Sequence, residues 1–181
     1  MIARDEQRER VIERLSGHLL ETGLSAASLR QLAAAAGVSD RMLLYYFNDK
    51  AEVLSEVMQR LAAGMAGQLT QVAGEERLPR AVLAARCAEL VVTDAFRPYV
   101  ALWIEAVAAA ARGEEPFREI VRQVTEGFLA WIESRLEIPE GGDARGAAAM
   151  ILALVDGLAL VEICTRDDSA RRAVAILADG V

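Results

Sequence analysis

The sequence is poor in the residues that build metal sites, disulfide frameworks and β-sheets. Its 181 residues include two cysteines, one histidine and four prolines, and only 5% are aromatic. Cys87 and Cys164 are too few for a zinc cluster or a dense disulfide framework. With His18 as the one histidine, we expect neither a metal site nor a cofactor. The scarcity of aromatic residues argues against a β-sandwich or barrel.

No segment is typical of secretion or of a membrane span. The N-terminus is a charged run without the apolar region of a signal peptide. The most apolar run, 146–155, ends at Asp156 and is half of the about 20 residues that a spanning helix needs. We therefore expect a cytoplasmic protein with no membrane partner.

A basic excess is also missing, since the net charge is −7. Taken alone, this disfavours nucleic-acid binding. The charge is unevenly distributed, however. Residues 1–50 hold seven positive and seven negative side chains, and residues 51–181 hold 13 and 20. The acidic excess belongs to the body of the chain and leaves the N-terminal segment neutral.

Alanine and other apolar residues dominate. Alanine occurs 34 times, and hydrophobic residues make up 54% of the chain. Alanine is the best helix former, and this apolar content is too high for disorder, so we predict an all-α protein. The helical spacing of apolar residues, interrupted by glycine, proline and turn residues, predicts nine helices. They cover 2–21, 29–36, 40–47, 50–73, 79–95, 98–111, 116–137, 143–166 and 169–179.

Two short helices near the N-terminus carry the functional signal. Ser28 and Gln31 have the spacing of a capping box, Gly37 breaks the first helix, and Ser39 can cap the next. Two helices joined by a tight glycine turn predict a helix-turn-helix. In that motif, exposed residues at the start of the second helix reach base edges in the major groove.

The segment 23–54 resembles the DNA-binding domain of the TetR family of transcriptional regulators. The resemblance is carried by the runs 29–33 (LRQLA), 36–39 (AGVS), 43–47 (LLYYF) and 49–50 (DK). It implies a mostly bacterial, homodimeric repressor. An N-terminal three-helix DNA-binding domain, 1–49, would precede a helical ligand-binding and dimerisation domain, 50–181.

The resemblance also assigns positions that contact DNA. It implies phosphate contacts for Ser28 and Lys50, and a guanine contact for Arg30. Asp40 and Arg41 take the variable base-reading positions, and Tyr45 and Tyr46 take aromatic positions that touch the DNA backbone. Met42 and Leu44 lie at two further contact positions. Leu44 stands where the family usually has tyrosine, and Met42 where it usually has a small hydroxyl residue. Arg4, Arg8 and helix N-termini are further candidate contacts.

The C-terminal half offers an effector pocket and a dimer surface. The pocket hypothesis rests on the scarce aromatic residues, with polar contacts beside them: Met65, Cys87, Trp103, Glu105, Phe128 and Trp131. The alternative is an ordinary aromatic core. The last long helix predicts a dimer interface through Ile151, Leu154, Leu158 and Val161. Its alternative is a helix buried inside one chain.

These features favour a ligand-responsive transcriptional regulator. We expect a repressor that binds a pseudo-palindromic operator as a homodimer and is released by a small molecule. A second class is an all-α scaffold protein that does not touch DNA, and the cations Arg30, Arg41 and Lys50 argue against it. An enzyme is not expected, because the sequence has no Ser/His/Asp set, metal cluster or phosphate-binding glycine loop. Repressor and activator are not distinguished, since both use the same fold.

Overall fold

The structure is a computed structural model that describes residues 2–165 and 167–179. Within this part of the chain, the regular structure consists of nine α-helices and a short 3-10 turn, Leu24–Ala26. The helices are α1 Ile2–Thr22, α2 Leu29–Ala36, α3 Asp40–Tyr46, α4 Lys50–Ala73, α5 Arg80–Val91, α6 Arg97–Ala111, α7 Phe117–Arg135, α8 Ala144–Thr165 and α9 Ser169–Asp179. The all-α prediction is confirmed.

One predicted helix is too long. The expected helix over 79–95 ends at Val91. The run Val91, Val92, Thr93 is β-branched, which lowers helix propensity. The hydroxyl of Thr93 also donates to the carbonyl of Leu90 (2.8 Å), offering the backbone a turn instead of another helical residue.

The local signals of the helix-turn-helix form as predicted. Ser28 and Gln31 make a complete capping box at the start of α2. Gly37 ends α2 with φ 71°, a left-handed conformation that favours glycine. The side chain of Ser39 accepts from the amide of Met42 and caps α3.

The chain divides into two compact units. The first comprises Met1–Ala63 with Ala101–Val124, and the second comprises Gly64–Val100 with Thr125–Val181. Part of α6 and α7 therefore belongs to the same compact unit as α1, α2 and α3. The predicted domain boundary at 49/50 divides the chain by function, not by compactness, and it stays a prediction.

The first unit has its core where α1, α2 and α3 meet. Leucines from all three helices are fully buried, as is the phenylalanine that follows α3: Leu15, Leu19, Leu32, Leu43 and Phe47. Each such side chain contributes about 1.5–3 kcal/mol by leaving water. This core fixes α2 and α3 against α1.

The second unit has a separate core. Residues of α4, α5, α7 and α8 form its buried cluster, with Leu83, Ile132 and Ile151 among them. α5 packs on both α8 and α9. Glu162 of α8 is buried and lies 3.6 Å from both Arg97 and Arg171.

Candidate nucleic-acid interface

One side of α3 is anchored and the other is open. Leu43 within α3 and Phe47 just after it are buried. Five of the side chains predicted to contact DNA are exposed, and Tyr45 shows 57% of its surface: Asp40, Arg41, Met42, Leu44 and Tyr45. Tyr46 is half-buried. The helix therefore presents the predicted residues on a rigid support.

The aromatic end of α3 is held from α1 by Arg4. Its guanidinium donates to the carbonyl oxygen of Tyr45 (3.0 Å) and lies 4.8 Å from the centre of the Tyr45 ring. This carbonyl is one of the last in α3, which lack partners within the helix. The rings of Tyr45 and Tyr46 meet edge to face at 5.5 Å. Arg4 thus fixes both the helix end and the exposed ring.

Arg8 has a different role. It pairs with Glu56 (2.7 Å) and with Glu52 (3.6 Å), and its guanidinium lies 4.8 Å from the centre of the Phe47 ring. The hydrogen bond to Glu56 raises the pKa of Arg8. The positive charge of Arg8 is therefore used to hold α1 against α4.

Three cations remain available for DNA. Arg30, Arg41 and Lys50 are exposed, and among the described residues none of them has a hydrogen bond or ion pair for its side chain. Paired arginines elsewhere in the first unit are partly neutralised by carboxylates. The unpaired ones have no internal contact to lose when they meet a phosphate or a base edge.

Ser28 is engaged within the protein. Its hydroxyl oxygen accepts from the amide of Gln31 (3.3 Å), and the hydroxyl also contacts the Gln31 side-chain oxygen. Its own amide donates to that same oxygen (3.2 Å). To bind a phosphate, the hydroxyl would have to exchange Gln31 for the ligand. The predicted Ser28 contact depends on this exchange and stays a prediction.

Three of the predicted pocket residues share one cluster in the second unit. Phe128 and Trp131 pack against the buried group that contains Cys87. Burial raises the pKa of the Cys87 thiol to about 12, so this side chain is an uncharged apolar contact at neutral pH. The indole N–H of Trp131 donates to the hydroxyl of Thr70 (3.0 Å). Met65 is half-buried on α4.

The other two pocket candidates lie on the part of α6 that belongs to the first unit. Trp103 is half-buried and Glu105 is exposed. The carboxylate of Glu105 accepts from the amide of Leu24 (2.7 Å), in the turn between α1 and α2. Glu105 therefore has a structural partner, and its part in a pocket stays a prediction.

The predicted dimer residues occupy two faces of α8. Ile151 and Leu158 are buried within their own chain, whereas Leu154 and Val161 are more than a third exposed. The exposed pair belongs to a longer row, here called the α8 stripe, which includes two large side chains that the sequence did not single out, Met150 and Leu160. Its members are Met150, Ala153, Leu154, Gly157, Leu160, Val161 and Cys164.

α8 is more apolar than the run 146–155 suggested. An 18-residue window within it has a mean hydropathy of 2.1, and 22% of that window is buried. In the described part of the chain, this one helix is long and apolar enough to cross a membrane. Core helices of soluble proteins also meet this criterion of length and composition. Its inner face packs against α5 and α9, which leaves the α8 stripe as an uncovered apolar surface.

Two family models match the chain. The model for bacterial regulatory proteins of the tetR family matches residues 19–57, and the model for the C-terminal part of BetI-type transcriptional repressors matches residues 79–181. The second match alone spans more than half of the chain.

Curated proteins and solved structures agree with these models. The HTH-type transcriptional regulator PksA of Bacillus subtilis is 26% identical over 164 residues, covering 88% of this chain and 80% of that protein. The HTH-type transcriptional regulator BetI of Pectobacterium carotovorum is 28% identical over 171 residues, covering 89% and 84%. The crystal structure of the multidrug binding protein EbrR complexed with proflavin shares the fold, with a TM-score of 0.66, 22% identity and coverage of 97% and 99%.

The relatives are transcriptional regulators, so the expectation that this protein is not an enzyme is confirmed. The helix-turn-helix occupies the segment matched by the N-terminal model, and α5 to α9 occupy the segment matched by the C-terminal one. The chain therefore belongs to the TetR family of transcriptional regulators and carries a C-terminal domain of the BetI repressor type.

Proposed function

We propose that this regulator is a ligand-responsive repressor that acts in the cytoplasm. As a homodimer, it binds a pseudo-palindromic operator in double-stranded DNA, and a small molecule releases it. The observation that carries the DNA-binding part is the exposed face of α3, which includes Arg41, together with the exposed cations Arg30 and Lys50. None of these three side chains has a partner among the described residues. A scaffold protein would have no use for such a face.

The proposed contacts follow from the chemistry of each side chain. Arg30 and Arg41 can grip a guanine through two hydrogen bonds, and the apolar Leu44 suits a thymine methyl group. Lys50 is at the start of α4, where its ammonium and the helix N-terminus both favour a phosphate. Tyr45 and Tyr46 would contact the sugar-phosphate backbone.

The α8 stripe is the proposed dimer surface. Its large residues, Met150, Leu154, Leu160 and Val161, are 37–50% exposed in the single chain. Residues spaced by three and four along a helix form one continuous row, and small residues between them allow close approach of a second helix. In a two-fold dimer, two copies of α3 can address half-sites about one DNA turn apart.

The effector would bind among the aromatic side chains of the C-terminal domain. Phe128 and Trp131 border an apolar cluster, with Cys87 as an uncharged member. The multidrug binding protein EbrR, which shares the fold, was crystallised with proflavin. We propose an aromatic effector for this chain as well, one that can stack on the rings of Phe128 and Trp131. An effector that prefers the conformation with lower DNA affinity shifts the population toward it.

Selection of DNA by the purified protein tests the proposal. Genomic fragments that wild-type protein enriches should contain a shared, imperfect inverted repeat. Arg41→Ala should weaken binding to the enriched fragment by about tenfold or more, the cost of one bidentate base contact. Arg118→Ala, which removes another exposed arginine, on α7, is the control and should bind within about twofold of wild type.

Two results would contradict this assignment. One is that no fragment is enriched. The other is that Arg41→Ala and Arg118→Ala bind the enriched fragment equally well. Once an enriched fragment is in hand, a screen for compounds that dissociate its complex with the protein, beginning with proflavin, tests the effector. A hit should change the tryptophan fluorescence of the protein.

A further inference from the structure

The turn between α1 and α2 is held by a side chain from far along the chain. The amide of Leu24 donates to a carboxylate oxygen of Glu105 (2.7 Å), across 81 residues of sequence. Leu24 begins the 3-10 turn Leu24–Ala26, and the N-cap of this turn, Gly23, has no side chain that could cap it. An amide at the start of a helical turn has no partner within the turn. Glu105 supplies that partner.

Gly23 makes this contact possible. Its φ is 70°, where L side chains are strained. A Cβ built on Gly23 would also overlap the carboxylate of Glu105. The backbone conformation favours glycine, and a side chain at this position would also have to displace the flexible end of Glu105. The two residues therefore fit one another as a pair, with the carboxylate lying against the bare backbone of the turn.

The turn leads directly into the DNA-binding helix α2. After Leu24–Ala26 the chain buries Ala27 and reaches Ser28, the N-cap of α2. Arg30 follows in the first turn of that helix. A shift of the turn would therefore move the start of α2 and the guanidinium of Arg30 with it.

The bond also joins the two parts of the family architecture. Leu24 lies in the segment matched by the N-terminal tetR model, and Glu105 lies in the segment matched by the BetI-type C-terminal model. Both residues belong to the first compact unit. A side chain of the regulatory segment thus contacts the backbone of the DNA-binding segment.

We propose that Glu105 is a positioning residue for DNA binding. This inference rests on the proposed function, because it assigns a role in operator recognition. The carboxylate of Glu105 fixes the turn at Leu24, the turn fixes the start of α2, and α2 presents Ser28 and Arg30. A displacement of α6 would draw Glu105 away from Leu24 and weaken the proposed DNA contacts of Ser28 and Arg30.

Three variants test the proposal on the DNA fragment that wild-type protein enriches. Glu105→Ala removes the acceptor and should weaken binding by about fivefold, the value of one net hydrogen bond. Glu105→Gln keeps a side-chain oxygen that can accept from Leu24, and should bind within about twofold of wild type. Glu21→Ala is the matched control, because this exposed glutamate near the same turn has no described side-chain partner.

The control separates position from charge. Removing a negative charge near DNA strengthens the attraction to phosphates, so Glu21→Ala should bind as well as wild type or better. A loss in Glu105→Ala would run against this trend and would report the lost hydrogen bond. Rescue by glutamine would exclude a purely electrostatic effect.

Amide hydrogen exchange of the free protein gives a second measurement. Exchange at Leu24 should be faster in Glu105→Ala than in wild type and close to wild type in Glu21→Ala. Equal affinities of Glu105→Ala and Glu21→Ala, or unchanged exchange at Leu24, would overturn the role of Glu105. Failure of wild-type protein to enrich any DNA would instead overturn the proposed function.

Discussion

Arg4 supports the exposed aromatic end of α3 by two contacts with Tyr45. We predict that Arg4→Ala lowers operator affinity by about tenfold, since one hydrogen bond and one exposed cation–π contact are lost together. Arg4→Lys should recover part of this, because an ammonium can reach the carbonyl but does not stack as a planar guanidinium does. Fluorescence anisotropy with the enriched fragment measures both.

Arg10 provides the control for Arg4. It lies on the same helix, pairs with Glu6 at the surface (3.6 Å), and loses the same charge in Arg10→Ala. If Arg4→Ala and Arg10→Ala lower affinity to the same extent, the effect is one of net charge. The positioning role of Arg4 would then be wrong.

Asp156 makes stability depend on pH in the opposite sense to most carboxylates. Burial raises its pKa from 3.8 to about 6. The folded state therefore binds a proton on Asp156 more tightly than the unfolded state does. The stabilisation that this proton gives is fully present below pH 4 and is lost as the pH rises to about 6. Asp156→Asn should be more stable than wild type above pH 6, by about 1–2 kcal/mol after allowance for partial exposure.

Thermal unfolding at a series of pH values measures this difference. The gap between Asp156→Asn and wild type should be small at pH 4, widen through pH 5 and level off above pH 6. A constant gap across this range would show that the side chain does not titrate as its burial implies.

Residue-level contacts separate what the sequence could predict from what it could not. The capping box of Ser28 and Gln31 and the left-handed Gly37 are local features, and the spacing of these residues in the sequence was sufficient to predict them. The contacts of Arg4 with Tyr45 and of Glu105 with Leu24 span 41 and 81 residues. Nothing in the local pattern distinguishes these two charged side chains from other exposed ones.

At the level of elements, the sequence predicts α8 well as a helix but not which way it faces. Ile151 and Leu158 point inward while Leu154 and Val161 point outward, and each pair is spaced by seven residues. A helix that is apolar all round has no polar side to mark its exposed face. Only the packing of α5 and α9 against α8 shows which side remains uncovered.

The uncovered side of α8 gives a direct test of dimerisation. Leu154→Asp places a charge in the middle of the α8 stripe, and burying it between two helices would cost several kcal/mol. We predict that the dimer dissociation constant rises by at least about a hundredfold. Light scattering should then find the 19.6 kDa chain as a monomer at micromolar concentration, where wild type gives twice that mass.

Val107→Asp serves as the control for Leu154→Asp. Val107 is an exposed apolar residue on α6, outside the stripe, and takes the same new charge. It should leave the dimer intact. Dissociation in both variants would indicate general destabilisation, and a monomeric wild type would contradict the interface itself.

At the scale of the whole molecule, DNA binding depends more on where the charges lie than on the net charge. The net charge of −7 lies entirely beyond residue 50, and the N-terminal segment is neutral. Within that segment, Arg8 and Arg10 are paired with glutamates. Arg30, Arg41 and Lys50 have no described partner, and Arg4 retains its charge beside Tyr45. Each protomer therefore offers three or four cations to DNA.

This count predicts how operator affinity depends on salt. A dimer with three or four cations per protomer neutralises at most about six to eight phosphates, so the logarithm of affinity should fall with the logarithm of salt concentration with a slope no steeper than about −5 to −7. Because some arginines would read bases instead, the slope should lie toward the shallow end. Anisotropy titrations from 50 to 300 mM salt measure it. A slope of −9 or steeper would require about ten or more neutralised phosphates. It would show that cations now assigned to internal pairs, Arg8 and Arg10 first, leave their glutamates to bind DNA.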